Sequence, residues 1–73
     1  MAINSLKYTK YGDNVRVGTH FNANTGEDEE IVQQWTGSQW ETKRAFGHMS
    51  DDYALSNARE YAQALARSNL GGH

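Results

Sequence analysis

The sequence predicts a single α+β domain: an antiparallel β-sheet of three or four strands, in two hairpins, packed by one C-terminal α-helix. Three observations predict it. Val15, Val17, Thr19 and Phe21 alternate with Arg16, Gly18, His20 and Asn22, the period of two that belongs to a strand with one apolar face. Ala54, Ala58, Tyr61, Ala62 and Leu65 recur at i, i+4, i+7, i+8 and i+11, which lines one face of a helix. Turn-rich breaks at 12–14, 22–26 and 36–39 divide the rest into segments of strand length.

Taken in order, residues 5–11 alternate imperfectly, with Leu6 and Tyr8 on one side and Lys7, Thr9 and Tyr11 on the other. Gly12-Asp13-Asn14 supplies a turn, and Gly12 can take the positive φ that a tight hairpin requires. The first hairpin therefore joins 5–11 to 15–22. After the break at 22–26, the acidic run Glu27-Asp28-Glu29-Glu30 reads as a solvated loop edge leading into Ile31–Trp35. If Gly37-Ser38 is a two-residue turn, the strand from Trp40 to Phe46 sets Trp40 opposite Trp35, Thr42 opposite Gln33 and Arg44 opposite Ile31. A cross-strand tryptophan pair contributes about 0.2–1 kcal/mol beyond an alanine pair and would hold this register. The expected core face carries Leu6 or Tyr8, Val15, Val17, Phe21, Ile31, at least one tryptophan and Phe46.

The helix is expected over Ser50–Arg67, with Leu55 and Ala66 at the margin of its apolar face. Ser50 is the expected N-cap, followed by Asp51 and Asp52 against the positive end of the helix dipole, with Arg67 near the negative end. Asn69 and then Gly71-Gly72 are the expected stop. Residues 1–4 and 69–73 are expected to lie outside the ordered domain, which otherwise spans 1–73. Truncating Tyr61 or Leu65 is expected to cost about 2–5 kcal/mol, the range for large buried side chains.

Composition narrows the function classes. A chain of 73 residues without cysteine has neither disulfides nor thiolate metal ligands. No apolar run approaches the roughly 20 residues of a membrane helix, and the first residues lack the basic-then-apolar pattern of a signal peptide. The expected location is the cytoplasm. The net charge of −2 and pI of 5.8 lack the basic excess expected of a nucleic-acid-binding domain. Charge is uneven all the same: Lys7, Lys10 and Arg16 outweigh Asp13 before the acidic run.

No catalytic or ligand-binding motif emerges. His20, His48 and His73 show no metal-ligand spacing, and no nucleophile, base and orienting group can be named together. With Gly26 set at position 6 of a calcium loop, positions 1, 3 and 5 fall on Phe21, Ala23 and Thr25, none a carboxylate. The glycines at 12, 18, 26, 37 and 47 build no phosphate loop. Gly18, inside a strand pattern, signals a bulge or a close approach. The chain reads as non-enzymatic and free of cofactors.

What remains is a surface. Trp, Arg and Tyr dominate binding hot spots, and a sheet with one helix leaves its other face bare. The candidate partner-binding residues are Lys7, Arg16, His20, Trp35, Trp40, Lys43 and Arg44. Edge strands offer a second way to engage a partner, by strand addition.

Over its whole length, the small cysteine-free sheet-plus-helix layout without a catalytic motif resembles the host-takeover proteins of lytic phages, and most of all the phage inhibitors of host RNA polymerase. That resemblance implies a monomeric cytoplasmic protein that binds a host protein, RNA polymerase, and inhibits transcription. The layout is similar to anti-CRISPR inhibitors as well. A third resemblance, to the three-strand-plus-helix DNA-binding domains of integrases and plant transcription factors, fits the residue types of Arg16, Lys43, Arg44 and the tryptophans; the acidic pI and the Glu27–Glu30 run do not fit it.

Overall fold

The computed structural model describes residues 8–71, with side chains described over 8–68. Four strands form one antiparallel sheet in the order of the chain: β1 (Tyr8–Lys10), β2 (Val15–Asn22), β3 (Glu27–Trp35) and β4 (Trp40–Gly47). One helix, α1 (Ala54–Gly71), packs across one face. The protein is thus an α+β fold with a four-stranded antiparallel sheet against a C-terminal helix. The first strand ends at Lys10, one residue before the end of the expected 5–11; residues 5–7, with Leu6 and Lys7 among them, lie outside the described residues.

The turns use the glycines that the backbone demands. Gly12 has φ 81° and Gly37 has φ 109°, a region open to glycine without steric cost. Gly37-Ser38 closes the second hairpin, with the Thr36 N–H donating to the Gln39 carbonyl at 2.9 Å and Trp35 directly opposite Trp40.

The acidic run is not a loop edge. It forms the first half of β3, because β2 and the β4–α1 connection offer donors to both sides of it. On one face Glu29 accepts from Asn22 Nδ2 and pairs with His20 Nε2, both at 3.1 Å. On the other, Glu30 is 5% exposed and both its oxygens lie 2.9 Å from the Thr19 hydroxyl, with His48 Nε2 at 2.7 Å. Glu27 accepts from the Met49 N–H at 2.8 Å. A buried carboxylate is tolerated when its lone pairs are filled in this way.

The register of β3 and β4 departs from simple alternation at one point. Gln33 pairs with Thr42 as expected, but Val32 pairs with Arg44 and Ile31 with Ala45, so Lys43 is the extra residue of a bulge. The expected pairing of Ile31 with Arg44 is displaced by one residue. A one-residue slip moves every later side chain to the other face. Trp40 and Thr42 therefore face away from the helix, whereas Arg44 and Phe46 face it. There Phe46 meets Tyr61 edge-on at 6.2 Å, and the Arg44 guanidinium lies over Phe46 at 4.9 Å.

The core corrects the expected list accordingly. Val15, Val17, Val32, Ala58 and Ala62 form its buried centre, ringed by half-buried Tyr11, Phe46, Tyr61, Leu65 and Ala66. Val32 takes the place expected for Ile31, since Val32 is the residue that pairs with Val17. Ile31 pairs with Gly18 and turns to the opposite face, although only 7% of it is exposed. Phe21, opposite Asp28 beside the 22–26 turn, is 62% exposed. Tyr8 and both tryptophans lie on the face away from the helix.

Alanines explain the helix–sheet contact. Ala54, Ala58 and Ala62 are fully buried at a spacing of four, and their small side chains let the helix backbone lie close to the valines. Tyr61 and Leu65 are half-buried instead, so the full truncation cost does not apply to them. Leu65→Ala should lower the unfolding free energy by less than about 2 kcal/mol, the bottom of the range for buried leucines. Urea denaturation checks this value.

The helix start also differs from expectation. Ser50 does not cap it: its hydroxyl donates to the Gly47 carbonyl at 3.4 Å, and the helix begins four residues later. Asp51 takes that role, accepting from the Tyr53 N–H at 2.9 Å and from Asn57 Nδ2 at 2.7 Å. Asp51 and Asp52 precede the first turn, and Arg67 falls short of the last one because the helix continues through Gly71. Asn69 is therefore helical and no stop, while Gly72 and His73 lie outside the described residues.

The Tyr53 N–H, then the Asn57 amide, hold the Asp51 carboxyl below the usual aspartate range, with a smaller contribution from His48. A depressed folded-state pKa stabilises the fold above the ordinary aspartate value near 4 and loses that contribution as pH falls through the folded value. Asp51→Ala should lower the melting temperature at neutral pH, Ser50→Ala should leave it nearly unchanged, and the Asp51→Ala deficit should shrink as pH falls below about 4. Thermal melts over a pH series check all three outcomes.

Candidate functional site on the open face of the sheet

Alternation along β2 sends Arg16, Gly18, His20 and Asn22 to the face the helix leaves bare. On β3 the same face carries Gln33 and Trp35, and on β4 Trp40 and Thr42, because Arg16 pairs with Gln33, Gln33 with Thr42 and Trp35 with Trp40. Tyr8, opposite Gly18 on β1, completes it.

Arg16 is the centre of this arrangement. Its guanidinium carbon lies 3.7 Å from the centroid of the Tyr8 ring and 4.1 Å from that of Trp40. Its Nε donates to Gln33 Oε1 at 2.7 Å, and Gln33 Nε2 donates to the Thr42 hydroxyl at 3.1 Å. Trp40 in turn packs on Trp35, with ring centroids 5.5 Å apart and planes tilted by 60°. Residues from the other three strands thus hold one arginine of β2. Cation–π contacts contribute about 0.5–1 kcal/mol each at exposed sites and more when water is excluded.

Gly18 makes the arrangement possible. A Cβ there would stand 2.5 Å from two carbons of the Tyr8 ring. The close approach signalled by a glycine inside a strand is the seating of this ring. Tyr8 sits on a short edge strand and can swing away from a methyl group. Gly18→Ala should therefore leave the domain folded while displacing Tyr8 from Arg16. Loss of the Tyr8–Arg16 contacts in nuclear Overhauser spectra, with an unchanged far-ultraviolet circular dichroism spectrum, checks this outcome.

The other candidate residues fall differently. His20 shares the open face but is engaged by Glu29. Lys43, in the bulge, pairs with Glu41 at 3.0 Å. Arg44 belongs to the helix side, over Phe46 and Tyr61, and leaves the aromatic–basic face that alternation assigns it to. Lys7 lies outside the described residues. Tyr8 and Gln33, which sequence reasoning did not select, contact Arg16 directly. The signal for Tyr8 was Gly18; for Gln33 it was the register set by the tryptophan pair.

His20 and His48 bind consecutive glutamates, Glu29 and Glu30, on opposite faces of β3 and cannot share one ion. Among the described residues no group of three or more His, Cys, Asp or Glu side chains is arranged to hold a metal. No helix of the described residues is long and apolar enough to cross a membrane.

The outer edge of β4 carries Glu41, Lys43 and Arg44 and is broken by the bulge. Charge and bulging are features that blunt an edge against strand addition. The open face, in contrast, presents Trp35 at 39% exposure. Comparison with known proteins returns no matching family model, no matching curated protein and no matching solved structure.

Proposed function

We propose that this domain is a non-enzymatic, monomeric regulator that acts by occupying a surface of a larger protein assembly with the open face of its sheet. The observation that carries the reading is the Tyr8–Arg16–Trp40–Trp35 cluster, held in place by four strands and left uncovered by the helix. Trp, Tyr and Arg in a preorganised cluster are the residue types and the rigidity that hot spots use. The partner to which the phage-inhibitor resemblance points is bacterial RNA polymerase, met in the host cytoplasm, with inhibition of transcription as the result.

The DNA-binding alternative is supported by fewer features. Lys10 and Arg16 sit at one end of the open face, but Glu27 and Glu29 share that face, and Arg44 does not. A phosphate backbone would meet both signs of charge. Retention of polymerase subunits on the tagged domain from bacterial lysate, insensitive to moderate salt, supports the proposal. Gel retardation of random duplex DNA that weakens steeply with salt, with no polymerase retained, replaces it with the DNA-binding reading.

A further inference from the structure

We infer that Arg16 is the receptor for a carboxylate, an aspartate or glutamate side chain of the protein partner, at the centre of the open face. The inference rests on the docking role proposed for that face and adds the chemistry of what is recognised there.

The guanidinium is constrained on three sides. Tyr8 and Trp40 both lie against it, and Gln33 fixes the Nε edge. The Gln33 amide is itself oriented, since its nitrogen donates to Thr42 and leaves the oxygen for Arg16. Among the described residues no side chain engages the outer fork of terminal N–H groups. No carboxylate of the described residues pairs with it: the ion pairs there join His20 to Glu29, Lys43 to Glu41 and His48 to Glu30. An arginine with its plane fixed and its fork free is prepared for a planar, two-oxygen acceptor, because little rotamer freedom is left to lose on binding.

Three features select a protein carboxylate over a nucleic acid. Arg16 itself covers the Tyr8 and Trp40 rings, and Trp35, the exposed ring of this cluster, packs on Trp40, so no row of open rings is left on which successive bases could stack. Glu27 and Glu29 on the same face oppose a run of phosphates. Among the described residues only Lys10, across from Arg16 on β1, adds a lysine or arginine charge nearby, enough for a single carboxylate and short of a backbone track.

The test uses the whole domain and three probes: a blocked tripeptide with a central glutamate between glycines, its glutamine counterpart, and a short oligothymidylate. Nuclear magnetic resonance follows the Arg16 Nε–H and the Trp40 indole N–H. The glutamate peptide at millimolar concentration is expected to shift both signals saturably, and the glutamine peptide to shift neither. Arg16→Gln should abolish the shift of the Trp40 signal. Arg16→Lys, which keeps the charge but not the planar fork, should weaken binding by about tenfold. Lys43→Ala, off the site, should change nothing.

Equal responses to the two peptides, or no response to the glutamate peptide, would overturn the inference. So would an oligothymidylate response stronger than that to the glutamate peptide, which would assign the face to nucleic acid. Binding of purified polymerase by the same variants separates the two claims. If Trp35→Ala and Trp40→Ala weaken it and Arg16→Gln does not, the docking face stands and the carboxylate site falls. A glutamate-specific shift at Arg16 with polymerase binding untouched by all three variants leaves the carboxylate site and removes its proposed role.

Discussion

Ala58→Asp should leave the chain unfolded at room temperature. Ala58 is fully buried among Val15, Val17, Val32 and Ala62. A carboxylate introduced there meets valine and alanine, and the donors that satisfy the native buried Glu30 are already engaged. The effective cost of burying an unpaired ion is several kcal/mol. A single small core supplies only about 3–5 kcal/mol in total. The added side chain also forces apart a helix and sheet whose spacing is set by alanines. The control is Ala64→Asp, on the exposed side of the same helix, where the change should cost no more than about 1 kcal/mol, most of it helix propensity. Circular dichroism and proton spectra of the two variants separate burial from helix propensity, which is the same for both.

Trp40→Ala should have the largest effect on partner binding while keeping the fold. Trp40 contacts Arg16 on one side and Trp35 on the other, so its removal loosens both remaining members of the cluster. Hot-spot truncations of this kind cost 2 kcal/mol or more, about a 30-fold loss of affinity. The helix-side core does not touch this ring; its centre is Val15, Val17, Val32, Ala58 and Ala62. Loss of affinity should therefore come without loss of cooperative unfolding. Arg16→Ala should behave similarly, and the two changes together should cost less than the sum of each alone, because they share one contact.

How much of this was legible in the sequence follows from the range over which each feature is determined. The β2 boundaries, the tryptophan pairing and the helix face are local: period, turn glycines and apolar spacing specify them, and Val15–Asn22 and Trp35 opposite Trp40 stand as read. The bulge at Lys43 has no marker in composition, yet it decides that Trp40 and Phe46 face opposite sides and removes Arg44 from the candidate surface. The acidic run reads as loop because carboxylates disfavour strands in isolation; its donors, Thr19, His20, Asn22 and His48, lie 7 to 18 positions away. Asp51 displaces Ser50 as the cap because the 47–50 turn occupies the serine hydroxyl. At the candidate site, Arg16, Trp35 and Trp40 were selected by residue type. That Tyr8 and Gln33 hold Arg16 is a consequence of strand register and could not be read from type alone.

Docking through the open sheet face requires that this face, and not the helix surface or the β4 edge, meets the partner. Cross-saturation from purified bacterial RNA polymerase to the isotope-labelled domain tests it most directly, because it reports proximity atom by atom. The greatest attenuation is expected at the side chains of Tyr8, Arg16, Trp35, Trp40 and Thr42, with Arg59, Glu60 and Gln63 on the exposed helix face unaffected. Attenuation centred on those helix residues, or none anywhere at saturating polymerase, would contradict it.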